Sequence, residues 1–266
     1  VSAAWRLIEE PFMASTKNVL RELKLRVGYG VSGNQDGISP YQSMQLFGSA
    51  DLFLGSDGGW HRAYAINQNA NPNLKWEETG MFNLGVDFAI FDSRIYGTIE
   101  YYDKRTSNLL YTYQVPVPPY LYESMIANVG TMQNKGVEVE LSGDIIRTGN
   151  IRWTMGINAS NNKNIILKLS SGDFTTTAIK TGSGGMRGGG AFVTSHIIEE
   201  GRPVGQFYGL VCLGIDETTG NYIIDDMVDG KPGATIADYT YIGDAQPKLT
   251  YGINSSFTWK NFDFSF

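Results

Sequence analysis

The 266-residue sequence predicts an all-β fold, a segment of an antiparallel transmembrane β-barrel. Three observations predict this fold. Several stretches alternate between apolar and polar residues, short and long connections alternate along the chain, and the composition favours strands and turns. The last point follows from 32 Gly, 15 Tyr and 13 Phe residues, because aromatic residues are enriched in strands and glycine in turns.

Alternation with a period of two defines the predicted strands. In the first stretch, Leu23 to Val31, the odd-numbered residues are apolar and the even-numbered ones are charged or small. The other predicted strands run over 82–90, 95–103, 137–145, 151–159 and 249–259, and a last one begins at Phe262. A length of about ten residues exceeds the usual five or six and suits a tilted strand that crosses a bilayer.

The connections between these strands alternate in length. Residues 91–94, 147–150 and 260–261 form tight turns, whereas 32–78, 105–134 and 162–247 form long connections. Outer-membrane barrels have short periplasmic turns and long extracellular loops. The sequence therefore predicts an oriented barrel segment, in which 162–247 is the largest extracellular loop region.

Two further features concern single segments. Residues 9–23 place Pro11 near a start signal and Phe12, Val19 and Leu23 at helical spacing, which predicts a short helical insert on the side of the short turns. Aromatic residues near predicted strand ends fit a membrane interface as a group, although each one also fits an ordinary core: Trp5, Tyr29, Trp153, Trp259 and Phe262.

Charge and cysteine content narrow the function classes. The net charge of −6 leaves no basic stripe for a phosphate backbone, so no nucleic-acid partner is expected. Cys212 is the single cysteine, which excludes an intramolecular disulfide and a CxxC site. No run of about 18 apolar residues is present, so a transmembrane helix is not predicted.

No catalytic residues are predicted, and the chain is not expected to be an enzyme. The adjacent carboxylates Glu77 and Glu78, or Glu199 and Glu200, would point to opposite faces of a strand. Solvated or capping roles suit them better than acid and base roles on a glycosidic bond. The G-x-S-x-G motif of hydrolases does not occur either.

An acidic stretch near residue 220 suggests a metal site. Asp216, Asp225 and Asp229 could supply carboxylate oxygens to calcium on a flexible loop, although their spacing does not match an EF-hand. The simpler interpretation is a hairpin over Ile215–Tyr222, turned by Thr219-Gly220-Asn221 and followed by an acidic loop. We favour the hairpin, expect no other cofactor, and keep calcium as the alternative.

Aromatic residues in the long connections suggest a ligand site. Trp60, Tyr64 and Tyr120 could stack on sugar rings or peptide side chains at the outer mouth of a barrel. Packing of the loops against one another is the competing interpretation.

Several motifs carry a resemblance to a known family. They are NPNLKWEETGMFNLGVDF at 71–88, YYDKRTSNLL at 101–110, NVGTMQNKGVEVEL at 128–141 and NASNNKN at 158–164, with looser matches at 23–35 and 242–254. In this order they closely resemble the barrel of SusC/RagA-type TonB-dependent transporters. The resemblance spans almost the whole chain.

The resemblance implies more than the residues alone. It implies a longer parent protein with an N-terminal plug domain and a 22-strand barrel, of which residues 1–266 would be a partial, later section without the plug. It also implies import of oligosaccharides or peptides across the outer membrane of Bacteroidetes, with a SusD-like surface lipoprotein and with TonB contacting the missing N-terminal region. A glycan is the expected cargo, and outer-membrane lipid the expected surroundings.

Two other interpretations stay open from the sequence. The chain could be a soluble carbohydrate-binding β-sandwich module, which strand length and the alternation of loop lengths disfavour. A glycoside-active β enzyme is the third possibility, and it lacks a carboxylate pair with suitable geometry.

Overall fold

The computed structural model describes residues 1–170, 176–184, 193–225 and 238–266. Strands dominate it, and their pairings are antiparallel, as predicted. In chain order they are β1 (Ser2–Arg6), β2 (Leu20–Asn34), β3 (Leu46–Leu54), β4 (Trp60–Gln68), β5 (Glu77–Ile90), β6 (Ile95–Ser107), β7 (Leu110–Gln114), β8 (Ser124–Asn128), β9 (Thr131–Arg147), β10 (Ile151–Lys168), β11 (Ala178–Gly184), β12 (Val193–Glu199), β13 (Gln206–Gly209), β14 (Cys212–Ile215), β15 (Tyr222–Ile224), β16 (Thr240–Asp244), β17 (Thr250–Trp259) and β18 (Phe262–Ser265).

An eight-stranded sheet forms the main body of the molecule. Its order is β1-β2-β5-β6-β9-β10-β17-β18, so that each strand pairs with the next main-sheet strand along the chain. The register puts odd-numbered residues of β2 beside even-numbered residues of β5, for example Tyr29 beside Phe82. Apolar residues of neighbouring strands therefore share one face, and polar residues share the other.

The central strands are longer than the predicted ten residues. From β2 to β10 the main-sheet strands contain 15, 14, 13, 17 and 18 residues. The alternation fades where both faces carry polar residues, as in 158–164, yet the β9–β10 pairing continues through that segment to Lys168. Because backbone hydrogen bonding does not depend on side-chain polarity, the alternation of apolar and polar residues underestimates the length of the strands.

Tight turns join the hairpins where the sequence predicts them. Phe91, Asp92 and Ser93 all have positive φ, and the Arg94 N–H donates to the Phe91 carbonyl at 3.1 Å. Arg21 reaches across from β2 to the carboxylate of Asp92. The turn is thus closed by its backbone and anchored to the neighbouring strand.

The three long connections contain strands of their own. The first carries the hairpin β3–β4, the second carries β7–β8, and the third carries a four-stranded sheet in the order β11-β12-β13-β16 with the hairpin β14–β15. Because β10 extends to Lys168 and β17 starts at Thr250, the third connection is shorter than the predicted 162–247. We refer to these three insertions together as the outer layer.

The predicted helical insert over 9–23 is wrong in extent and type. The structure has 3₁₀ helices at Leu7–Glu9 and Pro11–Thr16, and β2 already begins at Leu20. Leu20 pairs with Ile90, so the ladder with β5 takes up the end of the predicted helix. Helical spacing in a short segment does not outweigh a ladder of strand hydrogen bonds.

Candidate functional site

One face of the main sheet is apolar and exposed. Side chains that would belong to a core in a globular protein are open over most of its width: Val31 is 62% exposed, Ile99 45%, Ile157 45% and Ile253 57%. No second sheet covers this face in the described part of the chain. A contiguous apolar patch that spans most of the width of a sheet marks contact with a membrane or another protein. It disfavours the β-sandwich interpretation, in which a second sheet would cover this face.

The apolar face ends along an oblique line. Towards the long connections, the continuous apolar run of each strand ends at Val31, Phe82, Tyr101, Val137 and Ala159; on β10, Ile165 and Leu167 follow farther out, after the polar residues Asn161 and Lys163. Residues that pair across neighbouring strands form a row, and successive rows on the apolar face are two residues apart. From β2 to β10, which are four strand-to-strand steps apart, this line shifts by three such rows. With about 6.8 Å per row and about 4.8 Å per step, the strands lie about 45° from the perpendicular to that line. Such a tilt is typical of transmembrane β-barrels.

The opposite face is polar and carries an ion-pair network. Arg26 donates to both carboxylate oxygens of Asp87, at 2.8 and 2.9 Å, and Thr98 donates to the same carboxylate at 3.0 Å. The Lys24 Nζ lies 3.5 Å from Asp87, and an Arg26 nitrogen lies 3.8 Å from Glu100. Bidentate pairs of this kind fix both side chains in place.

A glycine makes room for this network. Gly85 lies between Arg26 and Glu100 in the register, and a Cβ at that position would stand 2.9 Å from an Arg26 nitrogen. Gly136 similarly gives way to the ring of Tyr102, whose hydroxyl reaches Asn162 at 3.1 Å. These glycines let long side chains cross a strand on the polar face.

Asparagine side chains join two insertions of the outer layer to each other. Asn69 is 7% exposed; its amide donates to the carbonyls of Tyr122 and Ser124, and its oxygen accepts the N–H groups of Leu121 and Tyr122. All four hydrogen-bonding positions of the side chain are therefore used. Asn69 holds the β7–β8 hairpin to the segment that follows β4.

The motif asparagines extend this attachment. Asn71 donates to the Ile126 carbonyl at 2.9 Å, and Asn128 accepts the Lys75 N–H and donates to the carbonyls of Lys75 and Asn108. The resemblance motifs at 71–88 and 128–141 thus meet in space. Their asparagines satisfy backbone groups that neither strand ladder can reach.

A small packed core lies beneath these contacts. Tyr113, Ala127 and Val129 form a buried cluster in the outer layer, and the Tyr113 hydroxyl faces the Leu169 carbonyl at 3.5 Å. Burial raises the pKa of Tyr113 to about 12. The outer layer is thus a folded unit rather than a set of independent loops.

Asparagines and a cation–aromatic cluster anchor the third insertion. Asn134 accepts from Asn164, which in turn accepts the Val204 N–H at 2.9 Å. Farther out, the Arg202 guanidinium lies 3.5 Å from the centroid of the Tyr241 ring, and both side chains contact the carboxylate of Glu199. The four-stranded sheet is therefore tied to the end of β10.

Three of the four carboxylates considered for catalysis, Glu77, Glu199 and Glu200, have structural partners. Glu77 accepts the Leu110 N–H at 3.0 Å and a bond from Asn34, and Glu200 accepts the Leu169 N–H at 2.6 Å. Together with the Glu199 contacts, these bonds occupy the carboxylates with backbone and ion-pair partners. The capping interpretation accounts for them.

The predicted ligand-binding aromatics lie in two different insertions. Trp60 and Tyr64 share one face of β4 and are 69% and 68% exposed, whereas Tyr120 is half-buried in the connection between β7 and β8. The exposed pair extends an apolar strip of the β3–β4 hairpin that includes Phe47 and Leu54. Their role in binding stays a prediction.

The acidic stretch forms the predicted hairpin. β14 and β15 pair around Gly220 at φ +71°, and Asp216 accepts the backbone N–H groups of Thr218 and Thr219. These bonds hold the pKa of Asp216 below its usual range. Asp229 lies outside the described residues, and in residues 1–170, 176–184, 193–225 and 238–266 no group of three His, Cys, Asp or Glu side chains could hold a metal ion. Calcium binding stays a prediction.

Sequence reasoning missed Asn69 and the residues around it. Asn128 satisfies backbone groups at one corner, and Asn71 supplies the amide at the other. The available sequence signal is the asparagine-rich run Asn69-Ala70-Asn71-Pro72-Asn73. Its partners are more than 50 residues away in the chain.

The fold and the two faces define a class of protein, an antiparallel β-sheet protein with one exposed apolar face and one polar face. A family model described as "TonB dependent receptor-like, beta-barrel" matches residues 1–265. The chain belongs to this family, whose members are transporters rather than enzymes.

Curated relatives agree with the family. The chain is 32% identical over 98% of its length to TonB-dependent receptor P3 of Formosa agariphila, and 31% identical over its full length to TonB-dependent receptor SusC of Bacteroides thetaiotaomicron. It covers 26% of each of these relatives, so it spans about a quarter of their length. The predicted SusC/RagA resemblance is confirmed.

Solved structures share the fold. The structure of the RagAB peptide transporter matches with a TM-score of 0.80 and 24% identity over 99% of this chain and 28% of that chain. The RagAB peptide importer in its "open-open" state matches with a TM-score of 0.80 and 23% identity. No helix in the described ranges is long and apolar enough to span a membrane.

Proposed function

We propose that this chain is part of the barrel wall of a TonB-dependent outer-membrane importer of glycans or other large nutrients. The uncovered apolar face, with its oblique boundary at about 45° to the strands, carries the proposal. Lipid would contact this face, and the polar face would line the lumen. Strands arranged in this way form a wall, and transport makes and breaks no covalent bond.

The orientation follows from the connections. The outer layer lies at the end of the strands where the long connections emerge, and the tight turns 91–94, 148–150 and 260–261 lie at the other end. By analogy with bacterial barrels, the outer layer faces the cell exterior and the tight turns face the periplasm.

The partners follow from the family. A SusD-like surface lipoprotein would cover the outer layer, and TonB would act through a region of the parent protein outside these residues. A glycan is the proposed cargo, because it is the commoner cargo implied by the resemblance to SusC/RagA-type transporters. The matching RagAB structures are of a peptide transporter and a peptide importer, and they favour peptides as the second candidate.

Growth of a deletion strain tests the cargo. The parent gene is deleted and restored in trans, and growth is measured on single polysaccharides and on peptide mixtures as the only nutrient source. The proposal expects loss of growth on one polysaccharide class, restored by the wild-type gene. Loss confined to peptides would replace glycan by peptide, and normal growth and uptake on every substrate would contradict import.

Restoring the strain with variants tests the aromatic ligand site. Trp60→Ala, Tyr64→Ala and Tyr120→Ala should each weaken cargo binding about tenfold, because stacking of this kind contributes about 1 kcal/mol or more. Tyr222→Ala, which removes a 74% exposed tyrosine from another hairpin, is the matched control. Equal cargo affinity of all four variants would show that the three aromatics only pack the loops.

The calcium site is proposed on the acidic side chains alone. Asp216→Asn and Asp225→Asn would each lower calcium affinity if these carboxylates were ligands. Calorimetric titration of the intact protein with CaCl₂ measures this affinity. Absence of a heat signal in the wild type would dismiss the site.

A further inference from the structure

The main sheet has a gap at the outer end of β10. The pairing of β17 with β10 ends where Thr250 lies opposite Ser160, although β10 continues to Lys168. On this edge, residues 161–165 have no strand partner in the described part of the chain, and we refer to the space beside them as the gap. Proline is rare inside a paired strand, and Pro247 lies where the ladder would have continued.

A second segment closes the far end of the gap. The Ile166 N–H donates to the Arg202 carbonyl at 2.9 Å, and the Gly201 N–H donates to the Ile166 carbonyl at 2.8 Å. The Val204 N–H donates to the side-chain oxygen of Asn164 at 2.9 Å. The gap is thus closed at both ends and is about 20 Å long.

Backbone groups of β10 open into the gap. Along a strand, the N–H and C=O groups of successive residues point to opposite edges, so Asn162 and Asn164 direct theirs to the same edge as Ile166. Among the residues that the structure describes, neither has a backbone partner on that edge. Asn164 is 9% exposed, and backbone groups of buried residues are rarely left without a partner. The two open donor–acceptor pairs lie about 6.8 Å apart, which is the repeat of an extended chain.

The gap encloses a cavity of about 410 Å³ with an excess of positive charge. Its lining includes two lysines, Lys163 and Lys248, and one carboxylate, that of Asp244. Asp244 already accepts the Gln246 N–H at 3.0 Å, and within the described ranges neither lysine has a carboxylate within 4 Å. The rest of the lining consists of amides, prolines, a glycine and an isoleucine, so it offers no aromatic ring on which a sugar could stack.

We propose that the gap binds the carboxyl-terminal end of a short peptide, which adds to the open edge of β10 as an extended strand. The inference rests on the proposed import function and assigns the gap to the peptide candidate among its cargoes. A peptide backbone repeats its N–H and C=O groups at the spacing of Asn162 and Asn164, which the hydroxyl groups of a glycan do not. Because both ends of the gap are closed, a chain terminus fits there and a continuous protein segment does not. The terminal carboxylate would pair with Lys163 or Lys248.

Peptide binding by the intact transporter in detergent tests this site. Fluorescence anisotropy gives the affinity for tetra-alanine labelled with fluorescein at its amino terminus, and for the same peptide with an amidated carboxyl terminus. Lys163→Gln combined with Lys248→Gln should weaken binding of the free acid about tenfold and binding of the amide little, as expected for loss of a charge-assisted hydrogen bond. Lys168→Gln, at an exposed position on the same strand that does not line the cavity, is the matched control.

Methylated peptides test the strand geometry. In an added strand, the peptide N–H groups point alternately to the β10 edge and away from it. N-methylation of the second alanine or of the third alanine should therefore weaken wild-type binding about tenfold in one of the two peptides and leave it nearly unchanged in the other. Heat-modifiable migration in gels reports that each protein variant is folded.

Three results would overturn the inference. They are absence of tetra-alanine binding to the wild type, equal effects of the two methylations, and equal affinity of the lysine double variant and Lys168→Gln for the free acid. The import proposal would stand in each case, because growth of the deletion strain tests it separately.

Discussion

At the scale of single residues, the outer layer depends on buried amides. Asn69 makes four hydrogen bonds to backbone groups of residues 121–124, where the chain enters β8. A buried polar group without a partner costs free energy comparable to a lost hydrogen bond, so a side chain that serves four such groups is hard to replace.

Replacing this amide should loosen the β7–β8 hairpin. Asn69→Ala leaves two carbonyls and two N–H groups without their partner, at a cost of about 1–3 kcal/mol. Hydrogen exchange of the intact protein, followed by mass spectrometry, should show faster exchange across residues 115–128. Asn67→Ala, at an exposed position on β4, is the control. Similar exchange rates in both variants would show that the Asn69 side chain does not hold the β7–β8 hairpin in place.

The phenol of Tyr113 should lose its proton at a higher pH than an ordinary tyrosine, and its ionisation should lower the stability of the protein at high pH. Its pKa is raised by burial to about 12, above the value of about 10 in an unfolded chain. The neutral phenol therefore contributes stability that is fully present below about pH 10 and is lost as pH rises towards 12.

A difference titration measures this directly. The ultraviolet phenolate signal of the wild type minus that of Tyr113→Phe should appear near pH 12 in the folded protein and near pH 10 in denaturant. A difference step near pH 10 in the folded protein would mean that Tyr113 is hydrated.

At the scale of the strands, apolar and polar residues alternate because each strand has one side-chain row on the apolar face of the sheet and one on the polar face. The register keeps Val27, Leu84 and Tyr101 in one row of the apolar face, while Arg26, Gly85 and Glu100 form a row of the polar face. Because side chains alternate with a period of two, a slip of one residue would exchange the two faces.

A charge placed within the apolar face should be costly. Ile99→Lys puts an ammonium group in the middle of the apolar stretch of β6, at an expected cost of about 2–4 kcal/mol in a bilayer. Asn158→Lys, on the polar face opposite Glu140, should change stability little. Denaturant unfolding of the intact protein in lipid vesicles compares them, and equal losses would contradict the assignment of faces.

The tilt of the strands should be measurable as a difference in depth between spin labels in the bilayer. Val31 and Arg105 lie in the same hydrogen-bonded row, two strands apart, so a tilt of about 45° places a spin label at Val31 about 7 Å deeper in the bilayer. Labels at Phe82 and Tyr101, in adjacent rows, should report nearly equal depths. Cys212 is exposed and is replaced by Ser before labelling. Equal depths for Val31 and Arg105 would mean untilted strands.

At the scale of the whole molecule, the main sheet has no shared core of its own among the residues that the structure describes. Buried apolar residues concentrate in the outer layer and at its junction with the sheet, as with Tyr113, Ala127, Val129, Ile166 and Leu169. The apolar side chains of the main sheet remain open. An apolar face left open in this way supports the proposal that a bilayer covers it.

Fractionation should show this reliance. The intact protein is expected to sediment with the outer membrane, to stay there through high-salt and alkaline washes, and to be released by detergent. Electrostatic attachment would be lost in salt, whereas burial of the apolar face would not. Recovery of the intact protein in the aqueous fraction without detergent would contradict the membrane orientation.

The sequence by itself determined the strands, their faces and the order of connections. Period-two alternation is a local property, and it located each main-sheet strand after Arg6 as well as the turns at 91–94 and 260–261. Local spacing failed at 9–23, where pairing of Leu20 with Ile90 overrides the helical pattern. It also failed at strand ends, since a ladder continues where both faces are polar.

Only the tertiary structure decided which polar residues work together. Asn69 meets Tyr122, Glu77 meets Leu110, and Asn164 meets Val204. These contacts join residues from different strands and depend on register, which a single local pattern does not encode. The sequence thus fixes which face each side chain takes, and the pairing of strands fixes its neighbours and the tilt at which the apolar face ends.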